Sequence, residues 1–174
     1  TRAYIAGLPD WCVSVGLVED GKPVAGVLAA PARDEIWYAS AGRGAFLNDV
    51  RLLADENDDQ EATLRVVVPD VVGKAMRPGA EATLAKVPGG PSLALRVAAV
   101  AKGECDGAYI RPRSNEWDLA AADVMLAETG HILMEQNGVR MTYNAPDPSR
   151  GILLASSLWN APQLLGHLQP SGGH

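Results

Sequence analysis

A tryptophan–aspartate pair, Trp117-Asp118, stands at the head of the run Leu119-Ala120-Ala121-Ala122-Asp123, just after the basic stretch Arg111-Pro112-Arg113. The spacing predicts a helix over residues 117–129 that stops at Gly130, so a carboxylate sits where a helix begins. Two chemistries fit that placement. The carboxylate meets the positive end of the helix dipole, stays ionised and starts the helix, a role worth about 0.5–2 kcal/mol. Alternatively it holds a cation that the helix end alone would repel. Residues 118, 122 and 125 share a face of such a helix, with Ala122 over Asp118. The small Ala120 and Ala121 beside that stripe leave room for a ligand or another backbone.

Other residues add to the same chemistry. Arg111 and Arg113 follow a predicted strand over residues 106–110, and two guanidinium groups at a strand end can clamp an oxyanion or phosphate. They can equally serve as surface charges that balance Glu116 and Asp118. The loop Gly89-Gly90-Pro91-Ser92 precedes a second predicted helix, with Ser92 as its N-cap, and can cradle phosphate. It lacks the glycine-lysine-serine order of a nucleotide P-loop. Thr1 reads two ways. As a true amino terminus it is a candidate N-terminal nucleophile with its own amine as base; alternatively it is an internal residue whose upstream partner is missing. The three histidines, His131, His167 and His174, have no metal-ligand spacing, and no Gly-x-Ser-x-Gly elbow occurs.

Composition narrows the classes. The 174 residues suffice for one domain with a proper core, expected over residues 1–168 with a frayed tail at 169–174. A net charge of −6 argues against nucleic-acid binding, since phosphate backbones recruit basic surfaces. It leaves room for a small phosphorylated substrate where a metal or clustered arginines reverse the local field. No apolar run reaches the length of a membrane span, and no signal peptide is visible. Cys12 and Cys105 either pair or remain as buried thiols; the thiol reading goes with a reducing, cytoplasmic setting.

The elements that must position these residues change character along the chain. Residues 11–18, 23–30 and 35–40 read as strands of an antiparallel meander, with a hairpin turn at Glu19-Asp20-Gly21-Lys22 and a glycine-bounded turn at 42–48. The acidic stretch 54–61 reads as a solvated loop without the glycine and final glutamate of a calcium loop. A buried strand over 64–68 follows, then a short helix over 78–85. The next helix runs from Ser92 to Gly103 with Leu93, Val97 and Val100 on one face. Strands over 106–110, 132–134 and 152–156 and a closing helix over 159–168 complete an α+β layered domain.

Two blocks carry a family resemblance. Thr1-Arg2-Ala3-Tyr4-Ile5-Ala6-Gly7-Leu8-Pro9-Asp10-Trp11, continuing to Gly42-Arg43-Gly44-Ala45-Phe46-Leu47-Asn48, resembles the segment after the Asp-Pro-x-Asp-Gly motif of the inositol monophosphatase superfamily. Glu116-Trp117-Asp118-Leu119-Ala120-Ala121 through Glu128-Thr129-Gly130 is similar to the second signature of that superfamily of magnesium-dependent, lithium-sensitive sugar and nucleotide phosphatases. The resemblance implies a layered αβαβα fold. It implies Asp118 as a Mg²⁺ ligand and Thr1 as the residue that orients the attacking water. The family's remaining metal carboxylates are expected upstream of Thr1, so the chain looks like the C-terminal two-thirds of such an enzyme and is expected to be inactive alone. His131 stands where the family usually has a second glycine.

Arg111, seven residues before Asp118, occupies a place where inositol phosphatases usually present an acidic residue. Together with the start Thr1-Arg2-Ala3-Tyr4-Ile5 it resembles the 3′(2′),5′-bisphosphate nucleotidase branch, which removes one phosphate from 3′-phosphoadenosine 5′-phosphate in sulfate assimilation. The implied mechanism is direct attack by metal-activated water, with Ser92 and Arg111 shaping the substrate pocket. An inositol-phosphate or histidinol-phosphate phosphatase, an N-terminal threonine amidohydrolase and a non-catalytic interaction domain are the alternatives. The family is often homodimeric.

Overall fold

The computed structural model describes residues 2–53 and 63–168. Thr1, the acidic stretch 54–61 and the tail 169–174 lie outside the described residues. After a short helix, α1 (Arg2–Ile5), five strands form an antiparallel meander: β1 (Val13–Glu19), β2 (Lys22–Ala30), β3 (Glu35–Ser40), β4 (Gly44–Leu47) and β5 (Val50–Arg51). The β1–β2 turn places Asp20 and Gly21 at φ 49° and 73°, the left-handed pair that a two-residue hairpin needs. Alternation sends Leu28, Trp37, Ala39 and Ala45 into the core, while Val13, Val15, Leu17 and Val27 stay exposed on the other face.

The second half builds a mixed sheet of order β10-β12-β8-β6-β7 from β6 (Arg65–Val67), β7 (Ala85–Lys86), β8 (Gly107–Ile110), β10 (His131–Glu135) and β12 (Leu153–Ser157). A two-stranded ladder joins β9 (Ser114–Asn115) to β11 (Ser149–Arg150). The helices are α2 (Asp70–Gly73), α3 (Leu93–Ala101), α4 (Ala120–Glu128) and α5 (Ala161–Gly166). Helices α3 and α4 lie between the two sheets. There Val67, Ala108, Ile110, Leu133, Leu153 and Ala155 of the mixed sheet join one core with Leu28, Trp37 and the helices. The opposite pleats, Val66, Tyr109, Met134 and Leu154, form a second core with Val72 of α2 and Ala161 and Leu164 of α5. The described residues thus stack as β, α, β, α, in keeping with the expected layered α+β fold. No helix among them is long and apolar enough to cross a membrane.

Contact between α4 and the meander is close enough to dictate residue size. A Cβ at Gly26 would lie 2.5 Å from Ala121 Cα, and one at Gly16 would lie 2.9 Å from Ala120 Cβ. Glycines on the strands and alanines on the helix let the two backbones meet. At the far end of α4, both Glu128 carboxylate oxygens accept backbone N–H groups, of Gly42 and of Gly44, each at 2.7 Å. The helix is therefore tied to the β3–β4 turn as well as packed on β1 and β2.

Several expectations need correction. The helix over 117–129 is broken: Glu116–Asp118 forms one 3₁₀ turn, Leu119 sits at φ −114°, and α4 starts at Ala120. The break turns Leu119 fully into the core, so 118, 122 and 125 do not share one helical face. Helix α4 has no side-chain cap, which removes the capping role for Asp118. The expected helix over 78–85 is a 3₁₀ turn at Ala80–Thr83 running into β7, because Leu84 is extended to join the sheet. Helix α2 and the β9–β11 ladder had no visible period. Cys12 and Cys105 are free thiols, which rules out the disulfide alternative.

One buried carboxylate on α4 carries a pH signature. Asp123 is fully buried and accepts the Tyr143 hydroxyl at 3.0 Å, with Arg140 Nη2 at 4.0 Å. Burial pushes its carboxyl up to about 6, against the pull of Tyr143 and Arg140. The folded chain holds this proton more tightly than the unfolded chain. The stabilisation is complete below about pH 4 and lost as pH rises through about 6, an effect of about 3 kcal/mol. Thermal unfolding should therefore show stability falling between about pH 4 and 6 from this group. Asp123→Asn should flatten that segment and stabilise the chain at pH 7; an unchanged slope would refute the assignment. For the helix contact, Gly26→Ala should destabilise by about 3 kcal/mol in chemical denaturation, the upper end of ordinary overpacking. Gly151→Ala, where an added Cβ meets nothing within 4 Å, should change stability by less than about 0.5 kcal/mol.

Candidate functional site

Three of the four residues singled out by sequence, Ser92, Arg111 and Asp118, line one cavity of about 550 Å³. The fourth, Thr1, lies outside the described residues. The walls come from five places in the fold: residues 10–14 leading into β1, Pro69 before α2, the start of α3, the exit of β8, and the 3₁₀ turn before α4. Ser92 caps α3 as expected, its Oγ accepting the Leu95 N–H at 3.4 Å. Cys12 Sγ lies 3.6 Å from that oxygen, and burial raises its thiol above the ordinary value.

Arg96 is a residue that the sequence reading passed over. It lines the same cavity, donating from Nε to Gly89 O at 3.1 Å and from Nη2 to Gly90 O at 2.7 Å. It thereby closes the glycine loop in front of α3. Gly89 must be glycine there, since a Cβ would fall 2.3 Å from Val67 Cγ1. Burial, and then the neighbouring Arg111 charge, lower the Arg96 pKa, as expected for two guanidinium groups facing one space. A signal for Arg96 did exist: it stands four residues after Ser92, on the same side of the predicted helix. Asn115 and Asp10, also in the lining, had none.

The exit of β8 turns sharply. Arg113 has φ 65°, a left-handed conformation costly for a side chain with a Cβ, and its N–H donates to Arg150 O at 2.7 Å. Ser114 Oγ donates to Arg111 O at 2.9 Å and tightens the same turn. The result sets Arg111 and Arg113 on the cavity wall near Asp118. Among the described residues, Arg96, Arg111 and Arg113 make no ion pair with a carboxylate, whereas Asp10 is paired with Arg33 at 3.4 Å. In a chain of net charge −6 this wall is locally cationic, and it suits an anion.

Asp118 lines the same cavity as those arginines. It is solvent-exposed at its edge, and partial burial raises its pKa above the usual carboxylate value. A carboxylate oxygen is the right donor for magnesium, which takes oxygen ligands in an octahedral set. Among the described residues, however, no group of three or more His, Cys, Asp or Glu comes together. Asp118 is thus a single exposed oxygen donor, and the described residues hold no complete metal site. His131 takes no part in the cavity: it is buried at the start of β10, with Nδ1 3.0 Å from Thr129 Oγ1. Gly130, at φ 77°, makes the turn alone, so a second glycine is not needed.

Known proteins resemble this chain in sequence and fold. The sequence profile of the inositol monophosphatase family matches residues 1–171. A fructose-1,6-bisphosphatase/inositol-1-monophosphatase of Thermotoga maritima is 33% identical over 141 residues, covering 79% of this chain and 54% of that protein. The 3′(2′),5′-bisphosphate nucleotidase CysQ of Aggregatibacter actinomycetemcomitans is 34% identical over 152 residues, covering 83% of this chain and 55% of that protein. The solved inositol monophosphatase of Anabaena superposes with a TM-score of 0.79 at 25% identity, covering 98% of this chain and 72% of that one. The chain thus spans little more than half the length of the two curated relatives. With a profile match over nearly its whole length, the chain belongs to the inositol monophosphatase family.

Proposed function

We propose that this chain forms the substrate-binding part of a magnesium-dependent phosphomonoester hydrolase acting on a small bisphosphorylated nucleotide. The observation that carries the reading is the convergence of Arg96, Arg111 and Arg113, none of them ion-paired to a carboxylate among the described residues, on the cavity that Asp118 and Ser92 also line. Guanidinium forks bind phosphate oxygens in pairs; Arg111 and Arg113 offer theirs, while Arg96, whose Nε and Nη2 hold the Gly89 and Gly90 carbonyls, adds its charge. A polyol ring presents hydroxyls instead, and an arginine at position 111 offers it no acceptor.

The roles divide by chemistry. Asp118 is one oxygen ligand of the magnesium ion, and its other ligands are not among the described residues. Magnesium, when bound, neutralises phosphate charge and activates water. Ser92 and the N-terminal turn of α3 present a hydroxyl and backbone N–H groups to an anion. Arg111 and Arg96 hold a second phosphate and so set the preference for 3′-phosphoadenosine 5′-phosphate. Thr1 orients the attacking water. The CysQ relative, by its name a bisphosphate nucleotidase, fits this preference; the Thermotoga maritima relative keeps an inositol phosphatase as the second reading.

The test compares substrates and variants. Calorimetry should show tighter binding of 3′-phosphoadenosine 5′-phosphate than of inositol 1-phosphate. Arg111→Ala should weaken the nucleotide about 10-fold to 100-fold, the value of a lost charge-assisted bond, and change the inositol ester little. Turnover is expected only when the chain is joined to a segment supplying the family's other metal carboxylates, and should then require magnesium and collapse in Asp118→Ala. Equal affinity for both ligands would sink the nucleotide assignment. Activity of the chain alone that is lost on extension before Thr1 would favour the amidohydrolase instead.

A further inference from the structure

The arc from Arg111 to Asp118 forms one wall of the cavity, yet its anchor lies behind it, in residues that do not line the cavity. Glu116 immediately precedes Trp117-Asp118 and is 7% exposed. Its Oε2 accepts the Asn144 N–H at 2.6 Å, its Oε1 accepts the Ala145 N–H at 3.4 Å, and Oε1 also pairs with the Arg150 guanidinium. The same guanidinium donates to Thr142 O at 2.6 Å and lies 3.6 Å from Glu135 Oε1. Backbone bonds run in parallel: β9 pairs with β11, placing Ser114 opposite Arg150, and Arg113 N–H donates to Arg150 O. None of residues 142–150 is part of the cavity lining.

We propose that Glu116 and Arg150 are positioning residues, which fix Asp118 and the Arg111–Arg113 pair in register by strapping their arc to residues 142–150. The need for such a strap follows from the broken helix. Asp118 sits in a single 3₁₀ turn closed by Leu119 N–H to Glu116 O at 3.0 Å, so no long helical ladder sets its direction. Arg113 is held in a left-handed conformation that its own backbone disfavours. A largely buried, multiply bonded ion pair is a directional tie, and here it acts on the residue next to Trp117-Asp118. Lysine in place of Arg150 keeps the charge but loses the planar fork, whose Nη2 serves Glu116 and Thr142 while Nη1 approaches Glu135.

The inference rests on the anion-binding reading of the cavity, and the experiment separates the two. Amide hydrogen exchange and affinity for 3′-phosphoadenosine 5′-phosphate are measured on the same samples. Arg150→Met and Glu116→Gln should each speed exchange at 113–119 and 142–150 at least tenfold, leaving β12 and the middle of α4 unchanged. Nucleotide affinity should fall several-fold in both variants, and Arg150→Lys should recover part of both losses. Exchange that stays the same at 113–119, or rises equally across β12 and α4, would overturn the strap. Should Arg150→Met fail to fold, the unmodified chain decides the matter in graded denaturant. There, 113–119 and 142–150 should open together and before β12, and separate opening refutes the proposal. Absence of nucleotide binding by the unmodified chain would refute the functional reading alone, since the exchange arm still decides the strap.

Discussion

Everything near the cavity depends on how closely α4 lies on the meander. Seven of its nine residues, Ala120 to Leu126, are buried between two sheets, so the helix has almost no solvent face. A helix so enclosed cannot be positioned by amphipathicity; shape has to do it. Gly16 and Gly26 supply the shape on one side and Ala120 and Ala121 on the other, with van der Waals contact between backbones. The Glu128 carboxylate, bonded to Gly42 and Gly44 N–H, fixes the far end of the helix. Because both ends are fixed, the start of α4 is fixed too, and Leu119 can be buried while Asp118 faces the cavity.

Charge is handled in two contrasting ways around that helix. Glu116 and Asp123 are buried, and each is given partners from the segment 140–150: Arg150 with two N–H groups for the first, Tyr143 and Arg140 for the second. Removing a partner from such groups strands a charge, which is why they bind that segment to the arc. The cavity arginines follow the opposite rule. Arg96, Arg111 and Arg113 stay accessible without a carboxylate partner among the described residues, and mutual repulsion raises the cost of keeping them together. An anion that enters relieves that cost as well as making its own bonds.

Much of the fold was legible because its signals were local. The meander strands have period-two alternation and a turn sequence that demands positive φ, and the strand Glu35–Ser40 is found with its expected bounds. Ser92 as a cap and Gly103 as a stop, at φ 77°, depend on side-chain reach and backbone freedom within one turn. The misread segments depend on tertiary partners. Leu119 breaks the helix because a core position lies beside it, and Leu84 is extended because β6 offers it an edge. Within the site, Ser92, Arg111 and Asp118 were visible from residue type next to element ends. Asp10 and Asn115 come into the cavity only through packing, which no spacing encodes.

The location of the cavity follows from the layer order. The start of α3, lying between the sheets, opens onto the cavity with Ser92, Leu93 and Ala94 in its lining, so its free N–H groups and positive dipole end face the space. The exit of β8 delivers Arg111 and Arg113 to the same place, and Arg96 lies one turn into α3. Helix end and guanidinium groups therefore act with one sign, and they converge because β8 follows α3 in sequence and packs against it. Asp118 enters from the 3₁₀ turn that precedes α4, the helix packed beside α3. A carboxylate in that position weakens anion binding unless a cation sits between it and the anion. A bare cavity of this composition favours an anion at the arginine wall, and only a bridging metal makes the aspartate an asset as well.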